Sequence, residues 1–261
     1  MAEPSPENPP RQINNTRRIH KMNSFPPQKK TPQAIDSKKF VKLILGSIFS
    51  IILFGVGLFF LAGRLDYVQG WVLLAICFII LIVSVFSLRK RKDLVKERRN
   101  PGPGVKKWDN FIIVLYQIFL YGLLIIAILD SGRFRWSPKF PMGIYILSGL
   151  ILVLSSAFAL WALRVNNFFS SKVRIQKERY HQVITTGPYR FVRHPGYTGV
   201  IFMILSLALI MGSLWALIPA GLIGILFVIR TVLEDRVLKE ELSGYAEYAR
   251  KVRYRLIPGI W

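Results

Sequence analysis

Read as apolar and polar positions, the chain alternates long hydrophobic stretches with short, strongly basic ones. Apolar runs at about 40–62, 70–88, 110–129 and 142–163 each approach the roughly 20 residues a helix needs to cross a bilayer. A further run at 199–230 is too long for one crossing and too short for two generous ones. "MGSLW" at 211–215 offers a turn, which predicts a tight helical hairpin of two short or tilted spans. Residues 1–38 have the opposite pattern. They are rich in Pro, Asn, Lys and Arg, lack clustered apolar positions, and predict a disordered tail that cannot bury enough surface to repay ordering. No signal-peptide core lies near the start of that tail, so cleavage is not expected. The predicted fold is an all-α integral membrane protein of about six transmembrane helices. It divides into a basic tail (1–38), four N-terminal spans (39–163) and a C-terminal part (164–261) holding a loop, the hairpin and amphipathic helices.

Composition narrows the class. Of 261 residues, 52% are hydrophobic, yet the formal net charge is +22. Basic loops between membrane spans account for both. Nucleic acid as a partner is excluded on this pattern, because its footprint is a basic face on a soluble fold. Lys and Arg number nine up to Lys42, nine in 89–107, seven in 164–193 and six in 236–255, against one in 63–69 and three in 130–141. The poorer loops should face outward or into a lumen, which puts both termini and the 187–197 segment on the cytoplasmic side of a bacterial inner membrane or endoplasmic reticulum. The tail's cations also suit anionic membrane lipids. The single cysteine, Cys77, lies in an apolar run and reads as a packed thiol. The histidines, at 20, 181 and 194, are too scattered for a zinc site, so no metal is expected. No obligate protein partner is evident.

Candidate chemistry gathers after residue 164. In "GPYRFVRHPGYTGV" (187–200), Pro195 suits the first turn of a helix and biases His194 toward a capping conformation. Such a helix start attracts anions, and Arg193 and His194 add donors to it. Upstream, Gly187 permits close backbone approach and Pro188 stiffens the turn. The bland alternative makes Arg190 and Arg193 topology anchors, His194 a cap, and Tyr189 and Tyr197 part of an aromatic belt. Farther on, Arg230 and Glu234 are four residues apart and can pair on one helix face, Gly244 reads as a helix stop, and a short helix follows at roughly 245–252. An acid at a membrane exit is costly unless paired or useful, which singles out Glu234. Asn166, where the fourth span ends, lines the same region or caps the helix.

The order H-x-V-x-T-x-G-P-Y-R-x-V-R-H-P-x-Y-x-G (His181 to Gly199), then R-x-x-x-E-D-x-x-L (Arg230 to Leu238) and G-Y-x-x-Y (Gly244 to Tyr248), resembles the isoprenylcysteine carboxyl methyltransferase family, to which membrane phospholipid N-methyltransferases are related. The resemblance covers about 100 residues, from near Asn166 to the end. It implies methyl transfer from S-adenosyl-L-methionine, held in a cytosolic pocket formed by the last loop and the C-terminal helices, to a lipophilic or prenylated acceptor entering from the bilayer. By resemblance, the backbone around His181, Gln182 and Val183 holds the adenine, Tyr189, His194 and Tyr197 line the seat of the methionine portion, and His194 with the helix start after Pro195 holds its carboxylate; Gly187 and Arg193 are further candidate cofactor contacts. Glu234 stands near the reaction centre, and Asn166 and Arg230 are candidate acceptor contacts. A carboxylate acceptor needs no base at neutral pH but does need an orienting cation, for which Arg253 and Arg255 are the candidates, with Arg250 a further one. The chain ends "RKVRYRLIPGIW" where the family usually closes with a cation, Val-Pro and another proline. An amine acceptor, as in phospholipid N-methylation, would instead need Glu234 or Asp235 to accept a proton. A membrane sterol reductase and a non-catalytic lipid-binding scaffold are the remaining alternatives.

Overall fold

The computed structural model describes residues 37–88 and 92–261. The expected tail, up to residue 36, lies outside them. Eight α-helices follow in order among the described residues: α1 (Ser37–Ala62), α2 (Val68–Leu88), α3 (Lys92–Arg99), α4 (Lys107–Ala127), α5 (Met142–Val165), α6 (Pro195–Ile210), α7 (Leu217–Glu241) and α8 (Tyr245–Lys251). A π-helical turn, Ile128–Phe134, continues α4, and there is no strand among the described residues. Five helices (α1, α2, α4 with its π turn, α5 and α7) are long and apolar enough to cross a membrane. Exposed Phe60, Phe86, Phe111, Leu154 and Ile225 cover their outer surfaces, as lipid contact demands. The chain is a multi-pass, all-helical membrane protein.

The sixth apolar helix is short. At 16 residues α6 spans about 24 Å, less than the roughly 30 Å hydrocarbon core. The expected hairpin is present but asymmetric, because α7 runs for 25 residues and overshoots the start of α6. That overshoot brings Glu234 and Asp235 level with His194. Small residues let α5 and α6 meet closely. A Cβ on Gly199 would lie 2.7 Å from Ala159 Cβ and 2.9 Å from Ser155 O.

The turn joining α6 and α7 is tied down by a buried acid. Asp130, in the π turn, accepts from Ser137 N–H at 2.6 Å, Ser137 Oγ at 2.6 Å and Ser213 Oγ at 2.5 Å. Tyr67, fully buried, bonds Ser131 Oγ at 2.6 Å and Met211 O at 3.4 Å, which brings the α1–α2 loop to the same end. The apolar core between α1, α2, α4, α6 and α7 includes Leu58, Leu123, Met211, Ile223 and Phe227, with half-buried Cys77 packed against it.

Candidate functional site

The opposite end of the bundle opens into a cleft lined by the loop after α5, the start of α6, the end of α7 and α8. Asn166, His181, Gln182, Val183, Tyr189, Arg193, His194, Tyr197 and Glu234 all line it. Sequence positions up to 68 apart are thus brought to one place. Pro195 is the first residue of α6, as expected. In the first turn of α6, Tyr197 N–H and Thr198 N–H bond His194 O at 3.0 and 3.2 Å, Pro195 has no N–H, and Gly196 lines the cleft.

His194, buried at the head of α6, stacks on Tyr197 with ring centroids 5.5 Å apart. Its Nδ1 lies 4.0 Å from Glu234 Oε2 and its Nε2 3.6 Å from Asp235 Oδ1. The Tyr197 hydroxyl donates to Glu234 Oε2, fixing that carboxylate at the cleft wall. Both readings of Asn166 hold: its Oδ1 accepts from Phe168 N–H at 2.8 Å beyond the end of α5, and its Nδ2 donates to Tyr189 Oη at 2.9 Å. Tyr248 in turn donates to Tyr189 O at 2.7 Å. Burial pushes the Tyr189 and Tyr248 phenols well up, so both stay protonated donors.

His181 forms a separate wall. Its ring lies 4.5 Å from that of Phe168, and its Nδ1 accepts from Gln176 N–H at 3.4 Å, which leaves the neutral ring's proton on Nε2. Burial, then the Arg179 and Arg174 cations, lower its pKa from 6.5 to about 4. The loop carrying it is clamped from outside. Buried Arg174 grips Glu97 of α3 through Nε at 2.9 Å and Nη2 at 2.8 Å, and Glu178 at 2.5 Å. Burial alone would raise the Glu97 carboxyl, but the Arg174 and Ser170 hydrogen bonds hold it below its usual range.

Several cations have other employment than the sequence suggested. Arg193, expected as an anion donor, clamps Asp235 through Nε at 2.8 Å and Nη2 at 3.1 Å, and its Nη1 reaches the carbonyls of Val252 and Arg253 at 2.9 Å. Arg193 and His194 N–H also bond Tyr254 O at 3.0 Å and Arg255 O at 2.9 Å, stitching the C-terminal segment to the head of α6. Arg230 does not pair with Glu234 as expected and does not line the cleft. It grips fully buried Asp109 at 2.7 and 3.2 Å, because α4 presents that acid in its first turn. Its guanidinium lies 5.1 Å above the Tyr197 ring. Arg255 lies 3.3 Å from Asp235 Oδ2 and over the Trp261 ring at 4.8 Å, whereas Arg253 is exposed. Asp235 also receives Tyr245 Oη at 3.0 Å and Lys239 Nζ at 3.1 Å, so it is occupied as an acceptor. Gly187, at φ +61°, makes its close approach to α5, where a Cβ would lie 2.9 Å from Val165 Cγ2.

Residues 142–243 match the phospholipid methyltransferase family. The matched segment runs from α5 to the loop before α8 and so contains the cleft's principal side chains. Protein-S-isoprenylcysteine O-methyltransferase B of Arabidopsis thaliana is 29% identical over 86 residues, 32% of this chain and 44% of that protein. Protein-S-isoprenylcysteine O-methyltransferase of Saccharomyces cerevisiae is 32% identical over 91 residues, 32% of this chain and 36% of that protein. Cobalt-zinc-cadmium resistance protein CzcN of Cupriavidus metallidurans is 29% identical over 150 residues, 55% of this chain and 64% of that protein. The chain thus spans about half the length of the curated relatives it matches. These relatives bear out the resemblance to the isoprenylcysteine carboxyl methyltransferase family.

Four contributors were missed by sequence reading: Asp109, Glu97, Phe168 and Arg174. An acid opening a span was a usable signal for Asp109. Glu97, one of two acids in the basic segment at 89–107, carried none.

Proposed function

We propose that the protein is an S-adenosyl-L-methionine-dependent membrane methyltransferase acting on a lipophilic carboxylate, of which a prenylated cysteine is the model. The convergence of His194, Tyr197 and Glu234 in one cleft at the head of α6, inside the family-matched segment, carries this reading. The cleft fits the cofactor's parts: the tilted pair of Phe168 and His181 offers planar rings for adenine, Gly196 N–H and His194 offer donors for a carboxylate, and Glu234 offers a carboxylate for the amino group. When bound, the sulfonium cofactor supplies an electrophilic methyl group.

The protein's own work is then positioning and water exclusion. Tyr197 holds Glu234, the Arg193–Asp235 clamp holds His194 between the head of α6 and the C-terminal segment, and Tyr189 and Tyr248 close the wall. An ionised acceptor carboxylate needs an orienting cation, and exposed Arg253 is better placed to turn toward it than Arg255, which is shared between Asp235 and Trp261. The acceptor would enter between apolar helices, with both termini and the cleft on the cytoplasmic side. Methylation of a phospholipid amine is the second reading, favoured by Glu234 as a cleft carboxylate able to accept a proton.

Calorimetric titration of S-adenosylhomocysteine into the full chain in detergent tests the cofactor reading. Binding by the wild type, lost in His194→Ala with the melting temperature retained, supports it; no binding by folded wild type overturns it. Labelled lipid extracts then separate the acceptors, since base releases methanol from methyl esters and not from N-methyl groups.

A further inference from the structure

At the end of the bundle away from the cleft, α1 and α2 leave an open groove between them. Its walls are apolar, with Ile52, Val56, Phe60 and Trp71 exposed along it, and Gly63 and Arg64 at its mouth. From Ile51 to Gly63 the groove follows twelve residues of helix, about 18 Å, which matches the roughly 15 Å depth of one leaflet's hydrocarbon. The mouth is cationic. Arg64 Nε is the one buried side-chain nitrogen or oxygen without a hydrogen-bond partner among the described residues. Its nearest counter-charge, Asp66, is 3.5 Å away and turned to solvent. Arg133 adds a second cation, its guanidinium carbon 4.0 Å from where a side chain on Gly63 would begin.

We infer that this groove binds one anionic phospholipid of the leaflet opposite the cleft, its acyl chain along α1 and α2 and its phosphate on Arg64 and Arg133. An acyl chain alone would satisfy the walls; a phosphate adds the hydrogen-bond acceptor that Arg64 Nε lacks beside its solvent-exposed ion-pair partner Asp66, and a counter-charge for Arg133. Gly63, with φ +68°, keeps the mouth clear of a side chain. The site is independent of the proposed methyl transfer.

The test is native mass spectrometry of the full chain released from nanodiscs of equimolar phosphatidylglycerol and phosphatidylcholine. One phosphatidylglycerol should be retained per chain in preference to phosphatidylcholine, and Arg64→Gln should lower that retention about tenfold, the worth of a charge-assisted hydrogen bond. Arg64→Lys should keep most of it, Ile52→Trp should lower it by filling the groove, and Lys139→Gln at the same end should leave it unchanged. Melting curves confirm that each variant is folded. Equal retention of the two lipids by the wild type, or undiminished retention by folded Arg64→Gln and Ile52→Trp, overturns the inference.

Discussion

Glu234 differs from its neighbour Asp235 in what surrounds it. Asp235 is wrapped by Arg193, Lys239, Arg255 and the Tyr245 hydroxyl, whereas Glu234 accepts from the Tyr197 hydroxyl, lies 4.0 Å from His194 Nδ1 and faces the cleft. Under the proposed chemistry, Glu234→Gln should keep a partner for Tyr197 yet lower kcat/KM by about 10²-fold or more, the scale of losing one preorganised electrostatic group. Initial rates with a prenylcysteine analogue at saturating cofactor check this, and a change below threefold would remove Glu234 from the site. His181 makes a prediction about pH. Its pKa is depressed from 6.5 to about 4, so between those values the unfolded chain takes up a proton that the folded chain refuses. Stability from this group is therefore intact above pH 6.5 and falls as the pH drops toward 4. Melting temperatures of wild type and His181→Gln, measured from pH 7.5 to 4.5, should converge as the pH falls. Parallel curves would contradict the burial argument.

At the scale of elements, the contact of α5 with α6 decides whether the head of α6 is in register with Glu234. A side chain at Gly199 meets backbone at Ser155 O, which has no flexible end to move aside. Gly199→Val should cost about 1–3 kcal/mol, the usual range for overpacking, and weaken cofactor binding along with it. Chemical denaturation and calorimetry on the same preparation report both quantities. Unaltered stability would mean that α5 and α6 separate without cost. The asymmetric hairpin was partly legible, since "MGSLW" marked its turn and the charged run after Arg230 marked where α7 leaves the apolar region. The tether of that turn was not legible, because Asp130 and Ser213 are 83 positions apart and neither residue type announces the other.

At the scale of the whole molecule, a buried ion pair, Asp109–Arg230, joins α4 to α7 beside the site, with Asp109 outside the family-matched segment. Removing Asp109 alone leaves Arg230 charged in a dry place and should cost about 3–5 kcal/mol. The double change Asp109→Leu with Arg230→Met should recover most of that loss. Denaturation of the single and double variants distinguishes an ion pair that sets geometry from one that merely fills space. If the single variant is as stable as wild type, the pair contributes nothing.

Local sequence properties alone settled the class of the molecule. Runs of about 20 apolar residues leave a bilayer as the one environment that satisfies them, and helix is the spanning structure that satisfies its own backbone. The stretch proposed to seat the cofactor was also readable as a turn and helix start, because His181 to Gly199 is contiguous and its turn and helix-start chemistry is local. Which cations stay available was decided by tertiary structure. Arg193, Arg230 and Arg255 look alike along the chain, yet Asp235 occupies the first and third and Asp109 the second. Such pairings span 20 to 121 positions and form only when burial removes the water that would otherwise solvate each charge separately.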